Sequence, residues 1–362
     1  MASFNGTLNA NEIFAALYNM IISQEVFADN IAGTASELVD HFRTDGSMYG
    51  DTKLYYSPDV LSSSPWGNDA EAANLLSIDR PKAPECQKIT LNIFRQIRLT
   101  VDNYLSKRAW STENAFAEFN SIMLGMIGET KRVYDSTTFN AFVGTVKSDK
   151  ASQNIEIDVS TAVGNATGEE KQRLEAGVIG ASIAKLMTRL RDVSRDYNDY
   201  GQLKSYNLDD LMFIWNADAV ATIEKRDLPT IYHKQIIDKF GEYSLPGRYF
   251  GEINASETTG NGTTIRSLVE QVVKKASSPD VHVFAGDLIP NGYTAPAKTS
   301  YTEDNTILFK VVHKRSLPYM SAFEVGTSFF NARSLTSNNY LTWGHNTLDY
   351  LKRYPMIVVK QK

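Results

Sequence analysis

The chain has almost none of the residues that reactive chemistry usually needs. Cys86 is the single cysteine in 362 residues. No intrachain disulfide and no thiolate metal cluster can therefore form, and Cys86 reads as a small side chain beside a strand rather than a nucleophile. The five histidines, His41, His233, His282, His313 and His345, stand apart, with no H-E-x-x-H and no pair at i, i+4, so the usual helical zinc site is excluded. No run of eighteen apolar residues occurs, and a membrane span is not expected. The opening residues MASFNGTLNANEIFAALYNM lack the basic region of a secretory signal. Without that context, the Asn-X-Ser/Thr triplets at Asn5, Asn165, Asn254 and Asn261 read as turns. An excess of basic charge is missing too. The 37 Lys and Arg against 42 Asp and Glu give a net charge of -5, the reverse of a dedicated nucleic-acid binder. Only weak contact with nucleic acid is compatible with that balance.

Other motifs of chemistry fail on spacing. Gly128-Glu129-Thr130-Lys131 lacks the rest of a phosphate loop and sits inside a helical pattern, and GNGTT at 260–264 reads as a turn. There is no G-x-S-x-G elbow. The pairs Asp209-Asp210 and Glu169-Glu170 are adjacent, so their carboxylates point apart and suit caps and surface better than a glycosidase pair. Neither a catalytic set nor a cofactor or metal site is expected.

What is present is a normal globular composition, 42% hydrophobic and 22% charged, enough for one large or two medium domains. Its order along the chain is more informative. Ile13, Phe14, Leu17, Ile21 and Ile22 predict an amphipathic helix over 11–27. From Asp45 to Pro84 the sequence turns to Ser, Gly, Asn, Asp and Pro, with Lys53-Leu54-Tyr55-Tyr56 as one short strand and SSSPWGND as a loop tip. From Gln87 to about Tyr104, Ile89, Leu91, Ile93, Ile97, Leu99 and Val101 alternate with polar residues at strand period, with a skipped beat at 94–96 that predicts a bulge. A two-stranded excursion of this kind cannot bury its own faces, so its partners are expected in neighbouring copies.

Ser111 is the expected N-cap of a long helix, with Glu113 in its first turn. Phe116, Phe119, Ile122, Met123, Met126 and Ile127 form one stripe along it; its expected span is Thr112 to Arg132, and continuation to an end at Gly144 is left open. A second helix starts at a capping box, Thr167 with Glu170. It carries Ile179, Ile183, Leu186, Met187, Leu190 and Val193 on one face, and Lys185, Arg189, Arg191 and Asp192 on the other. Leu211-Met212-Phe213-Ile214-Trp215 reads as a strand covered on both sides, ADAVATIEK and TIRSLVEQVVKKA as helices, and VHVFAGDLIP as a buried strand. Residues 306–330 alternate again, and Met356-Ile357-Val358-Val359 closes the chain as a strand. No solenoid repeat is present.

In this order, the segments QKITLNIFRQIRLTVDNYLSKRAW with the helix after them, DLMFIWNADAV and YLKRYPMIVVK resemble the major capsid proteins of tailed bacteriophages. EVGTSFFNARSLTSNNYLTWGHN resembles those of small podoviruses. The resemblance implies an α+β fold of the Hong Kong 97 type: N-terminal arm at 1–44, E-loop and return strand at 45–108, spine helix and start of the P-domain at 109–146, A-domain at 147–305, and return to the P-domain with the C-terminal strand at 306–362. It implies a structural, non-enzymatic protein. Copies would assemble as hexamers and pentamers into an icosahedral shell around the phage genome, in the virion and, during assembly, in the host cytoplasm. Implied partners are other copies, a separate scaffolding protein, since only about ten residues precede the first expected helix, a portal protein, and packaged double-stranded DNA through weak contact. Some relatives cross-link subunits through a lysine; Lys53, Lys82 and Lys88 lie in the E-loop, without a motif that would assign that role. Tyr55, Tyr56, Trp66, Ile93, Phe94, Ile97, Trp110 and Phe116 are the expected inter-subunit contacts. Two other readings remain open: an encapsulin-type nanocompartment with the same fold, and a soluble α+β enzyme with a pocket beside Trp215.

Overall fold

A computed structural model describes residues 37–46, 52–63, 78, 80–102, 113–219, 242–254, 271–273, 281–283 and 300–362. In chain order the main elements begin with α1 (Glu37–Phe42), β1 (Arg43–Asp45), β2 (Thr52–Ser57), β3 (Glu85–Asp102) and α2 (Glu113–Thr145). Next come β4 (Asn154–Ile157), α3 (Ser160–Val163), α4 (Gly168–Arg191), β5 (Leu211–Asn216), β6 (Glu242–Leu245) and β7 (Gly251–Asn254). The strands β8 (Gln271–Val273), β9 (Val281–Val283), β10 (Ser300–Glu303), β11 (Ile307–His313), β12 (Tyr319–Asn331), β13 (Thr336–Asn346) and β14 (Met356–Gln361) complete the chain. Two compact units emerge. The first takes Met1–Asp51, Thr90–Thr137 and Tyr319–Thr347, the second Thr52–Ile89, Thr138–Pro318 and Leu348–Lys362.

A run such as Leu211 to Trp215, with no polar residue, is stable only with both faces of the strand covered. In the second unit it lies in a mixed sheet of order β4-β14-β11-β5-β6, where every residue of β5 is buried. Ile179, Ile183, Leu186 and Leu190 of α4 pack on one face against Phe213, Trp215, Phe309 and Ile357. Each such side chain contributes roughly 2 kcal/mol by leaving water. Trp215 and Phe309 lie 4.6 Å apart, centroid to centroid.

The other face of that sheet carries Lys310, paired in register with Ile214 and Val358 and only 1% exposed. Its ammonium donates to the carbonyls of Val143, Gly144 and Val146 at 2.9, 2.7 and 2.7 Å. These are the carbonyls that the end of a helix leaves without internal partners, so Lys310 caps α2 from a neighbouring strand. Burial, and then Lys360 and Lys147, push its pKa down to about 7. Three acceptors nevertheless require three hydrogens, which only the ammonium supplies.

In the first unit, β12 and β13 form a long antiparallel hairpin, β1 runs parallel to the start of β12, and β13 pairs with β3. β2, a segment of the second unit, is the other hydrogen-bonded neighbour of β3, whose first residues, Glu85–Ile89, also belong to that unit. The return strand thus has a partner in its own chain. Leu91 and Ile93 to Asp102 are registered against Asn346 and His345 to Thr336, which corrects the expectation that this ribbon depends on other copies for its hydrogen bonds. The bulge lies at Asn92, between Leu91 and Ile93, rather than at 94–96.

Other local expectations shift for identifiable reasons. Thr167 is the N-cap of α4 but makes no side-chain cap bond; Gly168 has a φ of 64°, a left-handed turn that a capping box does not contain. Val193 lies past the helix end and is exposed. α2 runs through Gly144, whose added Cβ would meet the Tyr249 carbonyl oxygen at 1.9 Å, so this glycine serves close packing and not a left-handed cap. Gln271–Val273, expected in a helix, is a strand paired with Val281–Val283, as its β-branched pair favours. The expected helix after Asn216 begins at 217–219; its remainder, the helix at 11–27 and the Ser111 cap lie outside the described residues.

Candidate functional site

In the first unit, apolar side chains stay in water where the hairpin runs out from the body. β12 beyond Phe323 is exposed residue after residue up to Phe330, with Phe329 63% and Phe330 53% exposed and Val325 also exposed. Consecutive exposed residues in a strand mean that both sheet faces are uncovered, because side chains alternate between them. At the turn, Leu335 is exposed and has a φ of 54°. A leucine in that left-handed region is strained by roughly 1–2 kcal/mol. On α2, Leu124 and Met126 are exposed, so part of its expected stripe is not covered by the described residues.

The base of the hairpin is rigid. Asp135 on α2 is buried, accepts from the Tyr319 hydroxyl at 2.7 Å and from Lys131 at 3.2 Å, and has Arg43 at 3.6 Å. Burial and the Asp135 carboxylate push the Tyr319 phenol up, so it stays a donor. Lys131 also reaches Glu324 at 3.1 Å. One residue earlier on α2, Tyr134 packs edge-on to Trp343 and accepts from Arg95 Nε at 3.1 Å. The hydroxyl lies 3.1 Å from His345 Nε2, while His345 Nδ1 lies 2.9 Å from the Asn346 carbonyl. Burial lowers the His345 pKa. The neutral ring therefore carries its proton on Nδ1, donates it to that carbonyl, and accepts from Tyr134 at Nε2. β1, α2 and the strands β3, β12 and β13 are joined through these groups.

In the second unit the outgoing strand is fastened at its end. Ser57 donates to Gln202 Oε1 at 2.5 Å and its carbonyl accepts from Gln202 Nε2 at 2.7 Å. Asp59 takes hydrogen bonds from the Leu203 and Val60 amides and pairs with Arg195 at 2.7 Å. Arg195 first, then the amide of Leu203, hold the Asp59 carboxyl down at about 2. Past this fastening Val60 and Leu61 are exposed, Leu61 by 76%.

The expected contact residues divide accordingly. Tyr56 is exposed, Tyr55 is half-buried, and Ile93, Phe94 and Ile97 are half-buried on β3, with Phe94 stacked on Phe323 at 5.6 Å. Phe116 is in α2, but its side chain, like Trp66 and Trp110, lies outside what is described. Trp215, beside which a pocket was one reading, is buried and packs against Phe309 and Phe213. Sequence reading missed Lys310, Asp135, the Asp59–Arg195 pair and the hairpin tip. Two signals were available: a lone charge inside ILFKVVH, and Phe329-Phe330 just ahead of a polar turn. Among the described residues no metal-ligand cluster occurs and no helix is long and apolar enough to cross a membrane.

The family model for Phi29-like phage major capsid proteins matches residues 3–359. No curated protein matches by sequence. In fold the chain is similar to a chain in the capsid structure of Staphylococcus phage Andhra, with 11% identity and a TM-score of 0.61 over 94% of this chain and 87% of that one. It is similar to a chain in the structure of the head fibre and inner core protein of native bacteriophage P68, with 11% identity and a TM-score of 0.63 over 93% and 87%. A third likeness is to the mature capsid of bacteriophage PhiM1, with 10% identity and a TM-score of 0.51 over 100% and 92%.

Proposed function

The chain belongs to the Phi29-like phage major capsid protein family, and from that premise we propose how its surfaces serve a shell. It is a shell-forming protein of the virion with the Hong Kong 97-type α+β fold. Copies associate as hexamers and pentamers, and the hairpin of β12 and β13 is covered by a neighbouring copy. The observation that carries this reading is the two-sided exposure of Val325, Phe329 and Phe330 on a base fixed by Asp135 and Tyr319. A strand wet on both faces, as β12 is over 324–330, gains little core from its own chain, whereas burial at an interface removes that apolar area from water. Tyr55, Tyr56, Ile93, Phe94 and Ile97 add contact area, with Trp66, Trp110 and Phe116 assigned the same role from sequence.

On the same reading we assign the N-terminal arm to 1–44, the E-loop and return strand to 45–108, the spine helix and start of the P-domain to 109–146, the A-domain to 147–305, and the return to the P-domain with the C-terminal strand to 306–362. The role is mechanical and not catalytic. Scaffolding and portal proteins act as separate partners, assembly takes place in the host cytoplasm, and the acidic chain touches packaged DNA weakly. A viral shell is favoured over a cellular nanocompartment by the family match. Electron microscopy of the purified chain with its scaffolding protein tests this. Closed shells are expected, and persistent monomers would overturn it.

A further inference from the structure

A cleft of about 330 Å³ in the second unit is bordered by Lys204, Tyr206, Asp210, His313, Arg353 and Tyr354 among others. Tyr354 stacks on His313 with centroids 4.2 Å apart and planes 20° apart, and the Arg353 guanidinium lies 6.0 Å from the same Tyr354 ring centroid. His313 Nδ1 accepts the Arg315 amide at 3.0 Å. Burial keeps this ring neutral, its pKa pushed down to about 4, so its hydrogen is on Nε2 and available to an acceptor.

The charges around the cleft are unbalanced. Among the described residues, neither Lys204 nor Arg353 has a carboxylate at ion-pair distance. Burial and then Arg353 lower the Lys204 pKa, and Asp59 opposes them. Among the described residues Asp210 is the one acid lining the cleft, and Lys314 and Arg315 lie close enough to His313 to act on it. Two cationic side chains and an imidazole thus line one small cleft in a chain whose net charge is -5.

We propose that this cleft receives the carboxylate of an Asp or Glu side chain from a neighbouring copy. The inference rests on the shell-forming reading above. A carboxylate fits because it accepts from all three donors and relieves the repulsion between Lys204 and Arg353. The donor is a second copy because acidic residues outnumber basic ones on this chain, 42 to 37, and a shell surrounds each copy with others. A nucleic-acid backbone would require cations spread along a track, and here they border a single cleft of about 330 Å³.

The test is zero-length carbodiimide coupling in shells assembled from a mixture of ¹⁴N- and ¹⁵N-labelled chain, followed by peptide mass spectrometry. Lys204 is expected in a mixed-isotope peptide joined by an amide to an Asp or Glu. Lys204→Gln with Arg353→Gln is expected to keep the circular dichroism of the parent chain and to lower shell yield tenfold or more. If parent shells form but Lys204 couples only within its own chain, or not at all while other lysines couple between copies, the inference is wrong. It is equally wrong if Lys204 is protected in DNA-filled particles and open in empty ones, which would assign the cleft to phosphate. Failure of the parent chain to form shells would instead overturn the shell-forming reading on which the inference rests.

Discussion

The sheet holding β5, β11 and β14 and the hairpin of β12 and β13 are both antiparallel at their centres, yet they end up in opposite condition. Every residue of β5 is buried, and so are the six residues from Ile307 to Val312. The hairpin keeps Val325, Phe329 and Phe330 in water. The first region buries a charge and satisfies it completely, with three carbonyls on Lys310. The second displays phenylalanines with nothing described over them. One region is finished within a single chain and the other, on the shell-forming reading, is finished by assembly, so that exposure, and not hydrophobicity alone, marks the proposed working surface.

The comparison breaks most visibly if the closed region is opened. Phe309→Ala should cost about 3–5 kcal/mol through cavity formation, and Lys310→Met about 3 kcal/mol or more, because buried carbonyls lose their donor. Urea unfolding of the free chain measures both. Next in size is the converse. Phe329→Ser with Phe330→Ser should leave unfolding within about 0.5 kcal/mol of the parent, as exposed positions do, while shell yield by light scattering falls at least tenfold. Equal loss of stability from both sets would erase the distinction.

Leu335→Gly sharpens it further. Release of the left-handed leucine should raise free-chain stability by about 1 kcal/mol and lower shell yield, since an apolar contact disappears. The smallest effect concerns pH. The Asp59 carboxyl is held at about 2 by Arg195 and backbone amides. A depressed acid stabilises above its unfolded value and loses that contribution as pH falls through the folded one. The difference in melting temperature between the parent and Asp59→Asn should therefore narrow from pH 4 towards pH 2.

The closed region was legible in the sequence because uninterrupted apolar runs have one stable location. LMFIW, the stripe from Ile179 to Leu190 and the C-terminal MIVV needed no partner information. The spine helix was also legible, although its length of 33 residues, about 50 Å at the helical rise, exceeded the segment with clear periodicity. Pairing across long separations was not. Nothing local to residues 91–102 announces β13, some 240 residues away, so the strand's partner was sought in another copy. Gln271–Val273 was misread because a short VV pair fits helix and strand periods alike. The charge of Lys310 stands out inside ILFKVVH, but its partners, the carbonyls at the end of α2, do not, and for Asp135 only Lys131 is near in sequence while Tyr319 and Arg43 are distant.

A cryo-electron microscopy map of the shell assembled from this chain tests the central claim most directly. Phe329, Phe330 and Leu335 should lie under side chains of an adjacent copy, with no solvent gap. A map showing the hairpin bare on both faces, or covered only by its own chain, would contradict the account.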